Sequence, residues 1–399
     1  MKVKEVYLTM STKEIQRLEV MEKLKSRLLT QKEASSVLGI STRQVKRIWH
    51  RYKRDGALGL VSQRRGKPSN HKMAPSVKEE AILLIREHYH DFHPTFAHEK
   101  LIEKHGLNFS VETLRQWMIE AKLWNRQRKK TVRIHQLRER RSCFGELVQL
   151  DGSPHDWFEG RAAYCCLLVL VDDATSALLE LRFEPVETTD GYFRLIKSYF
   201  KQYGLPAAFY SDRHSIFRVN MAEAKTGDGN TQFSRAMKQL NIQLITANSP
   251  QAKGRVERAN KTLQDRLIKE MRLRKINSIE DANAFLPEFI ADFNERFAKE
   301  PKCDANAHRE LHLEDEALGH ILSHQEHRTL TKNLECSIDN VIYQINAQEQ
   351  KYRLQNKKIL VCKDDKAQVT LFHQNKKLNY KIYDKNNKPT PIEDSKTLN

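Results

Sequence analysis

Three acidic residues stand where their side chains could hold a divalent metal ion. Asp151 follows the apolar run in ELVQLD, Asp212 closes AAFYSD, and Glu257 lies in GRVERANKTLQDRL, which predicts a long helix. Carboxylate oxygens are ligands that Mg²⁺ and Mn²⁺ prefer. Each acid also has an ordinary explanation, because an Asp after a strand often starts a turn and a Glu between arginines often forms a helix ion pair. The set of three favours a metal site more than any single member does.

The segments around these acids predict an α/β domain over residues 143–300. Strands are predicted in GELVQLD, RAAYCCLLVLVDD and ALLELRFEP, with turns at residues 152–154 and 174–176. The pattern continues with a helix at 191–203, a strand at 207–211, a helix at 232–240, a strand at 242–246 and a long helix after Pro250. Asp151 and Asp212 would then end the first and fourth strands. An apolar stripe on the last helix leaves Glu257 and Lys261 together on its flank.

Residues 30–54 have the pattern of a helix-turn-helix. Thr30-x-x-Glu33 and Ser41-x-x-Gln44 form two capping boxes, and Gly39 stands between the predicted helices, where the turn needs a positive φ. A small helical bundle with a basic face is the alternative. In the helix-turn-helix interpretation, the outward side chains of the second helix contact bases and phosphates in a major groove. They are Arg43, Gln44, Lys46, Arg47, His50 and Arg51.

A second helical unit and a basic arm follow. Helices are predicted at residues 95–105 and 111–123, with Gly106 ending the first and Ser110 capping the second. Residues 126–141 then carry eight basic residues, one acid and hardly any apolar pattern. They predict a linker that follows a phosphate backbone, the alternative being a solvated linker without contacts. The predicted contacts of this arm are Arg126, Arg128, Lys129 and Lys130.

Beyond residue 300 the pattern changes to short alternating segments such as SIDNVIYQI and KKILVCKDD, which predict a small antiparallel β-barrel. The last residues have no apolar periodicity and predict a disordered tail. The sequence is therefore divided into helix-turn-helix units at 8–60 and 76–124, a linker at 125–142, an α/β core at 143–300, a barrel at 325–386 and a tail at 387–399.

The net charge of +18 is concentrated in one third of the chain, because +17 of it lies in residues 1–142. Such an excess attracts nucleic acid, although a solvated basic surface would carry the same charge. The longest apolar run is far shorter than the roughly 20 residues that cross a bilayer. The six cysteines show no zinc-site or disulfide spacing. The expectation is a cytoplasmic protein without a membrane partner.

The strings LVQLDGSPHDWFEG, LVLVDDATS, YSDRHSIFRVN and ANSPQAKGRVERANKTLQDRL resemble the DDE transposases of bacterial insertion sequences, most closely the ISNCY group. The resemblance covers roughly residues 8–300. It implies N-terminal all-α helix-turn-helix units and a central α/β ribonuclease H-like core. With the C-terminal small β-barrel predicted from the alternating pattern, the expected fold is multidomain. Between Asp212 and Glu257 stand 44 residues, whereas many relatives have about 35, and a longer spacing is typical of the ISNCY-type group.

The resemblance also implies the chemistry. Asp151, Asp212 and Glu257 would be the catalytic acids and hold two Mg²⁺ ions, replaceable by Mn²⁺ in vitro, with Asp151 bridging both. Water would free a 3′-hydroxyl at the element end, and that hydroxyl would attack target DNA. Lys253, Arg258 and Lys261 could hold the scissile backbone, and His214 is close enough to Asp212 to touch the site. The implied partners are double-stranded DNA of the element ends and target, and a second subunit in a homodimer or higher oligomer.

Two other functions fit part of this pattern. A catalytically inactive, transposase-derived regulator would keep the helix-turn-helix units, but the intact Asp151, Asp212 and Glu257 argue against decay. A junction-resolving nuclease would keep the core, but tandem helix-turn-helix units indicate sequence-specific binding instead.

Overall fold

The computed structural model describes residues 8–62, 65, 73–125, 139–218, 230–246, 254–346 and 353–384. The chain divides into two compact units, Met1–Lys129 and Lys130–Asn399. The described part of the first unit is helical, and the second unit contains the strands. Within the described residues, no helix is long and apolar enough to cross a membrane.

The described part of the first unit contains six α-helices and a short 3₁₀ turn. The helices are α1 Thr12–Lys25, α2 Gln31–Leu38, α3 Thr42–Asp55, α4 Pro75–His88, α5 Pro94–His105 and α6 Val111–Glu120, and the 3₁₀ turn is Gly56–Leu60. The predicted caps of the second helical unit form, because Gly106 has a φ of +67° after α5 and the Ser110 hydroxyl accepts a hydrogen bond from the Thr113 amide.

The turn between α2 and α3 forms as the local sequence predicts. The Thr30 amide donates to Glu33 Oε2 at 2.7 Å and the Glu33 amide donates to Thr30 Oγ1 at 3.3 Å, which completes the first capping box. Ser41 Oγ accepts from the amide of Gln44 at 3.3 Å and caps α3, but the Gln44 side chain does not return a bond to the Ser41 amide, so the second predicted capping box is only half formed. Gly39 has a φ of +62°, a conformation that costs glycine little. The inner faces bury Ala34, Val45 and Ile48 in a core shared with α1.

Glu14 joins the start of α1 to the end of the 3₁₀ turn. Its carboxylate accepts hydrogen bonds from the amides of Ser11 and Ser62, each at 2.8 Å, and pairs with Arg65 at 2.5 Å. These hydrogen bonds, with the nearby guanidinium, lower the pKa of Glu14 from 4.5 to about 2. The ionised form of a nearly buried acid therefore holds two segments of the unit together.

The second unit begins with an α/β core. Its strands are β1 Cys143–Phe144, β2 Val148–His155, β3 Cys165–Asp172, β4 Leu178–Glu184, β5 Ala208–Ser211, β6 Gln243–Thr246 and β7 Cys303–Asn306. Its helices are α7 Thr189–Tyr203, α8 Gln232–Gln239, α9 Gly254–Leu273, α10 Ile279–Phe297 and α11 Asp315–Ile321. The strand and helix order predicted from the sequence is confirmed.

Five strands form one sheet in the order β4-β3-β2-β5-β6. Within this sheet β3 pairs antiparallel with both β2 and β4, whereas β5 pairs parallel with β2 and β6 pairs parallel with β5. Every residue of β3 is buried because both faces of the sheet are covered. Leu168 and Leu170 pack with α7 and α8, whereas Val169 and Val171 pack with α9 and α10. This arrangement is the expected ribonuclease H-like core.

One local prediction is wrong: Asp151 does not end its strand. β2 continues through the predicted turn at 152–154, and its pairing with β3 runs from Val148 with Asp172 to His155 with Cys165. Gly152-Ser153-Pro154 has the composition of a turn, but β3 supplies a ladder partner along this whole segment. Asp151 therefore lies in the middle of β2, whereas Asp212 directly follows β5 as predicted.

The C-terminal strands form two sheets. They are β8 His324–Thr329, β9 Glu335–Ile338, β10 Val341–Ile345, β11 Lys358–Lys363, β12 Val369–His373, β13 Lys376–Leu378 and β14 Tyr380–Asp384. The orders are β14-β10-β9 and β13-β12-β11-β8, around one apolar core. The predicted closed barrel is not confirmed, because the part of this domain that the structure describes contains no closed sheet. Alternation predicted the strands but could not reveal which edges pair. The predicted tail at 387–399 lies outside the described residues.

We expect Glu14→Gln to remove a stability contribution that depends on pH. Because the folded pKa is lowered, this contribution is present above pH 4.5 and is lost as the pH falls through about 2. Thermal unfolding of wild type and Glu14→Gln at stepped pH should show a difference in Tm that shrinks over this interval. Glu22→Gln, an exposed change on the same helix, is the control. An equal Tm difference at pH 7 and pH 2 would contradict the assignment.

Candidate active site and DNA-binding face

The register of two parallel strands brings two of the predicted acids level with each other. β2 pairs with β5 through Val148 with Phe209 and Gln149 with Tyr210. Asp151 and Asp212 each stand two residues beyond Gln149 and Tyr210. Both are half-buried, at the point where β5 ends and β2 continues. Their separation of 61 residues along the chain gives no hint of this pairing.

The polar side of β2 faces α9, and three hydrogen bonds join them. Two residues of a strand advance about 6.6 Å and four residues of a helix about 6 Å, so alternate strand positions can meet every fourth helix position. We call this set the β2–α9 ladder. Its bonds run from Val256 N to Gln149 Oε1 at 3.2 Å, from Asn260 Nδ2 to Asp151 Oδ2 at 2.7 Å and from Gln264 Nε2 to Ser153 Oγ at 3.2 Å.

The ladder fixes which side of α9 turns toward the two aspartates. Glu257 precedes Asn260 by three residues, and residues with this spacing are neighbours on one side of a helix. Asn260 contacts Asp151, so Glu257 lies on the same side of α9, one turn before this contact. The Glu257 side chain itself is exposed.

The structure does not gather the three acids into a finished metal site. Among the residues that it describes, no group of three or more His, Cys, Asp or Glu side chains is close enough to hold an ion. Asp212 Oδ1 accepts a hydrogen bond from the amide of His214 at 2.9 Å, which places His214 beside this acid as expected. Asn260 Oδ1 is buried next to Asp151 and has no hydrogen-bond partner in the described part of the chain.

The predicted cations near the site have different surroundings. Lys261 is exposed on the flank of α9, and Arg258 Nε donates to the carbonyl of Gly254 at 3.0 Å. Lys253 lies outside the described residues. The same holds for the four predicted contacts of the basic arm, which are Arg126, Arg128, Lys129 and Lys130.

Two buried acids at the end of β3 have contacts that sequence reasoning missed. Asp172 starts the turn predicted at residues 174–176, because its carboxylate accepts from the Thr175 amide and hydroxyl, each at 2.7 Å. Burial raises the pKa of Asp172 despite these bonds. Asp173 instead accepts from Gln149 at 2.6 Å and from Arg255 at 2.5 Å, so it contacts α9. Consecutive charges after an apolar strand were the only signal.

On the first unit, the outer side of α3 presents one continuous polar surface. Val45 and Ile48 are buried beneath it. It is lined by the six residues that the sequence singled out, Arg43, Gln44, Lys46, Arg47, His50 and Arg51. Its cations and amide have the hydrogen-bonding groups that read base edges and phosphates.

Comparisons with known proteins match a part of each unit of the chain. A family described as "Helix-turn-helix domain" matches residues 16–69, and one described as "Integrase core domain" matches residues 238–297. The protein "Putative transposase y4bF" of Sinorhizobium fredii is 47% identical over 333 residues, 83% of this chain and 72% of that protein. The "Transposase for insertion sequence IS1202" of Streptococcus pneumoniae is 29% identical over 91% of this chain and 86% of that protein. The chain belongs to the transposases of insertion sequences.

Membership has two consequences for this transposase. With a helix-turn-helix and an integrase core it is a DNA-binding protein, and its enzyme class is that of the polynucleotidyl transferases.

Among solved structures, the magnesium complex of the HTLV-2 integrase catalytic core overlaps 39% of this chain and 89% of that chain, with 17% identity and a TM-score of 0.29.

We expect Arg47→Ala to weaken binding of specific DNA by about tenfold, because one arginine contact to a base or phosphate is lost. Fluorescence anisotropy with the terminal repeat of the element, at two salt concentrations, measures the change. Arg54→Ala is a matched control, since Arg54 belongs to the same helix but is paired with Asp55 outside the α3 surface. Equal losses for the two variants would show that only net charge matters.

Proposed function

We propose that this transposase cleaves DNA at the ends of its element and joins the freed 3′-hydroxyl to target DNA, using Asp151, Asp212 and Glu257. The observation that supports the proposal best is the contact of Asn260 with Asp151. Through this contact, the helix that carries Glu257 lies against the strand that carries Asp151. The register of β2 with β5 brings Asp212 to the same region.

The side chains suit a hard divalent cation. The three acids offer only oxygen donors. Asn260 Oδ1, which has no hydrogen-bond partner among the described residues, can accept a hydrogen bond from the hydration shell of an ion. In the proposal Asp151, Asp212 and Glu257 would together hold two Mg²⁺ or Mn²⁺ ions. When bound, such ions stabilise the charge that develops on the phosphate and on the entering and leaving oxygens.

The remaining groups orient these acids and the DNA. Asn260 holds Oδ2 of Asp151, and the His214 amide holds Oδ1 of Asp212, so neither carboxylate rotates freely. Lys261, with Lys253 and Arg258, would contact the scissile backbone. No covalent bond between protein and DNA is required, because the attacking groups are water and then the 3′-hydroxyl.

In this proposal, residues 8–60 and 76–124 bind the terminal inverted repeat and the linker 125–142, through Arg126, Arg128, Lys129 and Lys130, follows its backbone. Residues 143–300 carry out the reaction, and the sheets within 325–386 contact DNA or a second subunit. Joining two ends in one event requires two active sites, which favours a homodimer or higher oligomer. The enzyme would act in the bacterial cytoplasm, on the nucleoid. The 44-residue spacing favours the ISNCY group.

The regulator hypothesis is less favoured. Its core would have no reason to keep Asp151, Asp212 and Glu257 intact, and both relatives are named as transposases.

The test is strand transfer with purified protein, a labelled duplex from the terminal repeat, a target plasmid and Mg²⁺ or Mn²⁺. We expect joined product from wild type and at least a 1,000-fold loss, by order of magnitude, in Glu257→Gln, because a metal-holding carboxylate is replaced by a neutral amide. Glu257→Gln should bind the terminal repeat with the same affinity as wild type.

Asp265→Asn is a matched control, because Asp265 lies two turns further along α9 and pairs with Lys269. It should retain joining. Joining by Glu257→Gln at the wild-type rate would refute the assignment of the acids. Specific repeat binding without any joining by wild type would favour the regulator.

A further inference from the structure

We infer that Asp173 is a positioning residue for Glu257: through Arg255 and Gln149 it holds the first turn of α9 against the sheet. Asp173 follows β3, and its side chain is fully buried. A buried carboxylate is costly unless it is paired and hydrogen-bonded. Its partners therefore carry the inference, which rests on the function proposed above.

Two of these partners lead to the residues that directly precede Glu257. Arg255 Nη1 lies 2.5 Å from Asp173 Oδ1, and the Arg255 side chain is only 10% exposed. Gln149 Nε2 donates to the same oxygen at 2.6 Å, while Gln149 Oε1 accepts from the amide of Val256 at 3.2 Å. One carboxylate oxygen thus holds a side chain and, through a buried glutamine, a backbone amide of the same helical turn.

This anchor matters because a helix leaves its first amides without intrahelical partners. Gln149 accepts a hydrogen bond from one of these amides, that of Val256. The ion pair of Asp173 with Arg255, the residue before Val256, holds the same turn. Asp173 Oδ2 also accepts from the amide of Arg141 at 2.9 Å, so the anchor itself is held. Glu257 is exposed and depends on the backbone beneath it for its position. Without the anchor the turn can fray, and Glu257 loses the position next to Asn260 from which, in the proposed function, it acts with Asp151 and Asp212.

The test compares Asp173→Asn and Arg255→Gln with wild type in the strand-transfer assay, titrated with Mg²⁺. We expect turnover to fall about 10- to 100-fold, because misplacing a reacting group by about 1 Å has an effect of this size. The half-saturating Mg²⁺ concentration should rise several-fold, and repeat binding should be unchanged. Arg255→Lys keeps the positive charge, so its turnover should be close to that of wild type. This variant also tests the inference if Arg255→Gln or Asp173→Asn fails to fold.

The matched control is Arg194→Gln, which removes another arginine from a buried carboxylate of the same core. Arg194 lies on α7, on the opposite face of the sheet, and its Nη2 is 2.7 Å from Glu184 Oε2. It should lower Tm without changing the Mg²⁺ dependence. A similar rise in half-saturating Mg²⁺ for Arg194→Gln would show general destabilisation and overturn the inference.

Failure of this inference differs from failure of the proposed function. If Glu257→Gln is inactive while Asp173→Asn, Arg255→Gln and wild type share the same turnover and Mg²⁺ dependence, only the positioning role is overturned. If Glu257→Gln joins DNA at the wild-type rate, the assignment of the acids is wrong, and the positioning role that rests on it is refuted as well.

Discussion

The arrangement of the active-site region depends on the β2–α9 ladder. A sheet covered by helices on both faces normally buries apolar side chains, and β3 does so along its whole length. β2 departs from this rule on one face, where alternate polar residues meet every fourth residue of α9. Buried polar groups must be paired, so these three bonds restrict the rotation and the sliding of the helix over the sheet. Asp151 is both a member of this ladder and a proposed ligand.

Apolar packing supplies the rest of that restraint. Val256, Leu263 and Leu267 are fully buried against β3 and β4 together with α10. Apolar contact alone is not directional, and it would tolerate small shifts of α9. The hydrogen bonds add direction, so packing and polar pairing together determine where the first turn of the helix begins. The same division holds in the first unit, where the buried Val45 and Ile48 seat α3 and leave its polar side exposed.

The two units have different physical characters that match different tasks. The helical unit lies within the third of the chain that carries nearly all of the net positive charge, and charge of this kind attracts DNA regardless of sequence. The core is nearly neutral overall, although its site region combines carboxylates with Lys261 and Arg258. In the proposed function, association with DNA and chemistry on its backbone therefore belong to separate parts of one chain. The sheets beyond residue 324 share an apolar core of their own.

The sequence by itself determined the features that depend on neighbours a few residues apart: the capping box at Thr30, the positive φ of Gly39 and the order of strands and helices. It also predicted the residues that line the α3 surface, and it singled out the three acids, whose role stays a prediction. Only the tertiary structure decided that β2 continues past Asp151, that the C-terminal strands form two sheets, and that Asp173 contacts α9. The reason is distance along the chain. The amide of Val256 is satisfied by Gln149, 107 residues away, and no local pattern encodes a partner so remote.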